Sequence, residues 1–388
     1  MPMHPARHLT PHPLVPPASG PPAASPAPEP VLLSRGHAAG TRPLVDLARA
    51  ACDVADAGVA AMVRLALEVE DDVPLPGSGE TLRRWEVLAT VAAQDLTAAR
   101  ALEPHLDAVA VLAEAGPAAA GVDDLLEEDE GRPSWGVWAA EGPGARLRAV
   151  PDPATGGVRL TGRKPWCSLA REVSHALVTA WVDEERRGLF AVRLADPGVL
   201  VEDGPWSSLG LAEAVTSTVV LDGVPAREVG GPGWYLERPG FAWGGIGVAA
   251  VWYGGAVAVA RRLHEQCGRR DPDQVALVHL GAVDAALAAA RAVLVEAATD
   301  VDTGCAAGAS GALAALRARQ VVADTVEEVT GRVARALGPG PLAHEHRHAR
   351  RVADLGLYVR QHHGERDQAA LGRELLARGS SVPGVSAW

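Results

Sequence analysis

Apolar residues along this chain change period twice. From 44 to 116 they recur at helical spacing, first through Val45, Leu47, Ala48 and Ala51. After a Pro/Gly break at 74–79, the residues Leu82, Trp85, Leu88, Ala89, Ala92 and Ala93 form one stripe of a helix expected over 81–99. A third helix is expected over 101–116. Pro104 belongs in its first turn, because proline has no N–H for a helix interior, and Gly116 with Pro117 ends it. At Trp135 the period shortens to two. Segments 146–150, 158–162, 176–181, 188–194 and 217–221 are short, apolar and separated by Gly/Pro turns, which predicts a small antiparallel barrel or sandwich. After Gly230 the helical period returns over 241–263, 275–299 and 311–337. A last stretch, 348–376, is broken by the polar knot Gln361-His362-His363-Gly364-Glu365-Arg366-Asp367, with its second helix resuming at Gln368. Four helical segments in series read as an antiparallel bundle.

The chain therefore divides into a Pro/Ala-rich tail (1–30), a helical domain (31–128), a β-domain (129–228) and a four-helix bundle (229–388). The tail has too little apolar surface to offset its ordering entropy, so it is expected to be disordered. Composition narrows the class. The 388 residues are 48% hydrophobic and 22% charged, as in a soluble globular protein. The formal net charge of -12 disfavours nucleic acid and anionic membranes as partners. Cys52, Cys167, Cys267 and Cys305 form no Cys-x-x-Cys pair and read as free thiols of a reducing compartment. No signal peptide and no apolar run of membrane-spanning length is recognised, so the expected location is cytoplasmic.

Candidate chemistry concentrates in the knot. His362 and His363 titrate near neutrality beside Glu365, and Gly364 supplies the turn that would present them to a pocket. Other polar groups read as structural. Arg100, Glu103, His105 and Asp107 suit a solvated or salt-bridged helix face. His344, His346 and His348 are two residues apart, so they do not share a helix face and make a poor metal site. Gly245-Ile-Gly247-Val-Ala-Ala250 fits a dinucleotide fingerprint but follows no buried strand, so it is assigned to helix packing.

Several strings in the same order resemble the acyl-CoA dehydrogenase family over nearly all of the chain after the tail. They are Trp138-Ala-Ala-Glu141-Gly-Pro143, Leu160-Thr-Gly-Arg-Lys164-Pro-Trp166-Cys167-Ser168, Leu209-Gly-Leu through Pro225, and Ala336-Leu-Gly338-Pro-Gly340. The resemblance implies that fold: mainly helical, with a small β-domain and a C-terminal four-helix bundle. It also implies an FAD cofactor, an acyl thioester substrate, an unspecified electron acceptor and a homo-oligomer, either dimer or tetramer. It places Trp166, Cys167, Ser168 and Glu141 at the flavin and thioester, and Gly338 and Gly340 at the cofactor of a neighbouring subunit. The family's catalytic glutamate falls at His362, making His362 the base or proton donor, oriented by His363 and Glu365. No carboxylate stands at 241–245, the family's alternative position, and the family's Arg-x-x-Phe-Gly string is not recognisable in 269–279. Two further readings stay open. One is a flavin monooxygenase of the same fold, similar to dibenzothiophene monooxygenase. The other is a catalytically silent homologue acting as a binding or scaffold protein.

Overall fold

The computed structural model describes residues 27–34, 41–126, 131–269 and 271–379, so most of the expected tail lies outside it. Helices α1 (Arg42–Val54), α2 (Val59–Val69), α3 (Thr81–Gln94) and α4 (Leu96–Ala115) come first, with a short α5 (Val122–Leu126) after them. The segment 81–99 is not one helix. Asp95 takes an extended conformation and its carboxylate accepts the Ala98 N–H at 2.8 Å, capping α4 from the outside. Helix α4 thus starts at Leu96, and Pro104 sits inside it instead of in its first turn.

Strands β1 (Trp135–Trp138), β2 (Leu147–Asp152), β3 (Gly157–Ser168), β4 (His175–Trp181), β5 (Arg187–Arg193), β6 (Val199–Val201) and β7 (Thr216–Val229) follow. The order β4-β2-β3-β7-β5 returns to β4, closing a small barrel, with β1 added beside β4 and β6 beside β7. The expectation of purely antiparallel pairing needs correction. Strands β1 and β2 each pair with β4 in parallel. Side-chain period reports which residues face the core, but not which neighbour a strand selects.

Helices α6 (Trp234–Glu237), α7 (Pro239–Arg269), α8 (Gln274–Asp302), α9 (Gly308–Leu337), α10 (Gly340–His344), α11 (His346–Tyr358) and α12 (Glu365–Gly379) complete the chain. The last stretch is two helices joined through a 3₁₀ turn at Val359–Gln361, and the second begins at Glu365, before the expected Gln368. Helix α7 is the central packing element. It lies on α9 and α8 and against α3. A Cβ at Gly254 would stand 2.2 Å from the Ala89 carbonyl, so the two helix backbones touch where only glycine fits. One hydrophobic cluster runs through all these layers, from Val31 to Val359. Contrary to the sequence expectation, α7 and α8 are each long and apolar enough to cross a membrane, with windows of mean hydropathy 1.4 and 1.6. Their alanine, glycine and valine content produces those values without a run of large side chains. The α7 window is 67% buried and the α8 window 17%.

Candidate active site

A cleft of about 1130 Å³ opens between the barrel and the helices. Its barrel wall is set by an irregularity in β3. The register against β7 shifts between Lys164 and Cys167, and Trp166 takes φ 61°, a region that a bulky residue enters only under constraint. The indole of Trp166 is 61% exposed and lines the cleft, as does Ser168 two residues on. Cys167 points the other way. It is fully buried, its thiol donates to the Lys164 carbonyl at 3.2 Å, and burial pushes the thiol up to about 12. Strand alternation thus keeps Trp166 and Ser168 at the cleft and removes the Cys167 side chain from it.

Ser168 is held in a polar relay. Its hydroxyl lies 2.8 Å from the Thr216 hydroxyl and accepts from Arg100 at 3.2 Å. Glu141 also lines the cleft, but its carboxylate is engaged by Lys164 at 2.7 Å, with Trp181 and Arg187 donating as well. Burial works to raise the Glu141 pKa, and the Lys164 ammonium overcomes it, leaving the group below its ordinary value. Lys164, the chain's single lysine, is itself buried in the barrel and also donates to Thr179 at 2.8 Å.

The opposite wall comes from α4, α7, α9 and the C-terminal turn. Arg100, Glu103 and Asp107, read in sequence as a solvated or salt-bridged face, line the cleft, with Arg100 and Glu103 in an ion pair. Their spacing places them on one helix face. Arg100 pairs with Glu103 at 3.0 Å, and the Tyr358 hydroxyl donates to the same carboxylate at 3.3 Å. Burial raises both Glu103 and Asp107 above the usual carboxylate range. His105 turns away from the cleft, toward Glu70. Arg238, Arg319, Arg360, Asp367, Glu237 and Glu374 also line the cleft; of these, the sequence pattern singled out only Asp367, as part of the 361–367 knot.

The C-terminal knot separates its two histidines. His363 lines the cleft, and Asp367 accepts from its backbone N–H at 3.1 Å and lies 3.2 Å from its Nδ1. Burial favours a neutral Asp367, and these His363 contacts reverse the effect, bringing it below its ordinary value. The His362 side chain is off the cleft lining. Its Nδ1 accepts the Gly364 N–H at 3.3 Å and its ring meets Trp252 edge-on at 6.4 Å. Desolvation lowers the His362 pKa and keeps the ring neutral. Glu365 is exposed and outside the cleft, so the carboxylate beside the histidines is Asp367, not Glu365. Gly338, at φ 67°, ends α9, and Gly340 opens α10. From Arg319, where α9 meets the cleft, Gly338 is roughly 28 Å along the helix axis at 1.5 Å per residue. Neither glycine touches this cleft.

No family model and no curated protein sequence matches the chain. Solved structures do. Butyryl-CoA dehydrogenase from Megasphaera elsdenii superposes with TM-score 0.73 at 18% identity, over 87% of this chain and 98% of that one. This chain has the acyl-CoA dehydrogenase fold. KijD3, solved with FMN and dTDP-3-amino-2,3,6-trideoxy-4-keto-3-methyl-D-glucose, matches with TM-score 0.75 at 20% identity, over 91% and 97% of the two chains. The dibenzothiophene monooxygenase TdsC of a Paenibacillus species, solved with FMN and indole, matches with TM-score 0.72 at 18% identity, over 86% and 96%. Several proteins of this fold thus hold a flavin. In the present chain the fit rests on its own residues: an exposed indole and a hydroxyl on one strand face, opening onto a cavity large enough for a fused ring and a small substrate.

Proposed function

We propose that this chain is a flavin-dependent monooxygenase acting on a small polar substrate, with the flavin ring against Trp166 and Ser168. The observation that carries this reading is the charged helical wall. An acyl chain laid along α4 would desolvate Glu103 and Asp107 without giving them a partner, which is unfavourable. His362 and Glu365, where the family resemblance places the base and its orienting acid, do not line the cavity, whereas His363 and Asp367 do. A polar substrate meets this wall with hydrogen bonds instead, above all at Asp107, whose one ion pair among the described residues is long at 3.8 Å.

When bound, a reduced flavin supplies two electrons to dioxygen, so that one oxygen atom enters the substrate and the other leaves as water. The chain's own groups prepare the site. Trp166 would hold one face of a bound flavin ring. The Ser168 hydroxyl, backed by the Arg100 guanidinium, would hydrogen-bond that ring and tune its electronics. Tyr358 and Arg100 fix the Glu103 carboxylate. His363, with Nδ1 turned to Asp367, keeps Nε2 available to hold or pass a proton at the cleft mouth. A homo-oligomer is consistent with the same picture. Helix α8 leaves Val275, Leu277 and Val278 exposed, and the Gly338–Gly340 turn is too distant to serve its own cleft.

The test is the visible spectrum of purified protein before and after addition of FMN or FAD, followed by oxygen uptake with externally reduced flavin. Bound flavin together with flavin-dependent oxygen uptake is expected, and chromatography of the released cofactor assigns FAD or FMN. Bleaching on anaerobic addition of an acyl-CoA would instead restore the dehydrogenase reading. Absence of flavin under every condition would favour the silent homologue.

A further inference from the structure

We infer that the floor of the cleft is a subsite for a zwitterion, a small molecule carrying both an ammonium and a carboxylate. The subsite deepens the reading of the cleft as a substrate pocket. Helix α7 contributes two consecutive glycines to the cavity lining, Gly244 and Gly245. Each is a poorer helix former than alanine. In return the Asp107 carboxylate seats directly on the helix at Gly244, while the step at Gly245 stays clear beside the Arg319 guanidinium. A Cβ on Gly244 would stand 2.9 Å from Asp107 Oδ1, and one on Gly245 would stand 3.9 Å from Arg319 Nη1. An acid and a guanidinium therefore flank a single step of one helix.

Both groups are under-used. Among the described residues Asp107 accepts no hydrogen bond, and its one ion pair, to Arg238, is long at 3.8 Å. Arg238 is engaged elsewhere, with Glu114 at 2.6 Å. The neighbouring charges on α4 already pair, Arg100 with Glu103. Arg84, buried behind them, donates to the Pro74 and Leu106 carbonyls. Arg319 lies over the Trp252 ring at 4.7 Å and donates to the carbonyls of Gly245 and Gln361, both at 2.9 Å. Of its five N–H groups these bonds use two, and among the described residues no carboxylate lies within ion-pair distance. Both charges are half-buried at the cleft, the Asp107 side chain 21% exposed, so each gains from a charged partner there. A ligand whose ammonium donates to Asp107 and whose carboxylate receives the free side of the Arg319 fork satisfies both at once. Phe241, exposed on the same lining, offers an apolar surface to the rest of the ligand.

Titration calorimetry on the full chain as purified tests the subsite. The probes are the twenty common amino acids, with L-phenylalanine, phenethylamine and 3-phenylpropanoate as a charge-matched set. At least one amino acid should bind at least tenfold more tightly than its own amine and acid analogues. Asp107→Asn should remove the preference over the acid, and Arg319→Gln the preference over the amine. Because Arg319 also holds two carbonyls, Gly245→Ala is the safeguard. Its Cβ comes no nearer than 3.7 Å to Arg319, so it should fold normally while weakening the amino acid at least tenfold by filling the floor. No zwitterion preferred over its analogues, or unchanged binding in Gly245→Ala, would overturn the subsite. Tighter binding of an aminoalkyl phosphonate than of the matched carboxylate would overturn the carboxylate assignment. Zwitterion binding by a protein that takes up no flavin would refute the monooxygenase alone. Flavin turnover without zwitterion binding would refute the subsite alone.

Discussion

The two walls of the cleft are built differently. On the barrel wall the polar groups are committed: Ser168 to Thr216 and, across the cleft, to Arg100 of α4, and Glu141 to Lys164, Trp181 and Arg187. On the helical wall Asp107 and Arg319 face the cavity without comparable partners. A self-satisfied wall is rigid before anything binds, which suits a planar cofactor that needs a fixed surface. An unsatisfied wall is completed by its ligand, so recognition concentrates there. The same contrast appears in stability. Groups on the barrel wall should be expensive to remove, and those on the helical wall inexpensive.

Lys164→Ala is expected to have the largest effect. It leaves a void inside the barrel and takes the donor away from Thr179 and Glu141. Breaking a buried pair from one side destabilises by about 3–5 kcal/mol. Here Glu141 is a third exposed and keeps Arg187 and Trp181, so a loss of about 2–3 kcal/mol is expected after allowing for solvent screening. Urea unfolding measures it. Asp107→Asn, removing a half-buried charge that lacks a close partner, should leave stability unchanged or raise it by up to about 1 kcal/mol. Equal losses in the two variants would erase the contrast between the walls.

The contact that ties the walls together supplies a smaller, pH-dependent effect. Asp354 of α11 accepts the Leu211 N–H at 2.5 Å, anchoring the loop that brings Leu211 and Ala214 to the cleft. Burial raises its pKa from 3.8 to about 6, and Arg350 offsets only part of that rise. The folded state therefore holds this proton more tightly than the unfolded state. Stability from this group is fullest below pH 4 and declines as pH rises through about 6. Asp354→Asn keeps the acceptor and removes the charge. It should flatten this limb of the pH–stability curve and gain about 1–2 kcal/mol at pH 7. A curve with the same slope in wild type and variant would remove Asp354 as its source.

The two walls also differ in how far the sequence discloses them. In β3, strict alternation from the inward Leu160 and Lys164 would carry Trp166 and Ser168 inside. The register shift between Lys164 and Cys167 reverses the phase, so family resemblance, not period, points to Trp166 and Ser168, and it misplaces Cys167. On α4, spacing puts Arg100, Glu103 and Asp107 on one face. Whether that face meets water or a cavity is decided by α7, α9 and α11, more than 130 residues away. The knot at 361–367 is harder still. A single turn sends His362 behind Trp252 and His363 into the cleft, and no apolar periodicity crosses it to fix the phase. Helices α7 and α8 give the same lesson at larger scale: nearly equal in length and hydropathy, they differ in burial because α3 and α9 pack more extensively on α7, which α4 and α11 also cover.

The smallest expected effect tests the phase of β3 directly. Cys167 is buried, and with its thiol pushed up to about 12 the thiolate fraction at pH 8 is on the order of one in ten thousand. A thiol reagent at pH 8 should label the exposed Cys305 first and reach Cys167 only after unfolding. Cys167→Ala should cost about 1 kcal/mol of stability by leaving a small void, with flavin affinity unchanged within about twofold, since the side chain never meets the cleft. Trp166→Ala, one position away, should weaken flavin binding about tenfold, the loss of a stacking surface worth roughly 1.4 kcal/mol. If Cys167 were labelled in the native protein as fast as Cys305, the strand would be out of phase by one residue. Trp166 and Ser168 would then face the core, and the barrel wall would lose the two groups that fit it to a flavin.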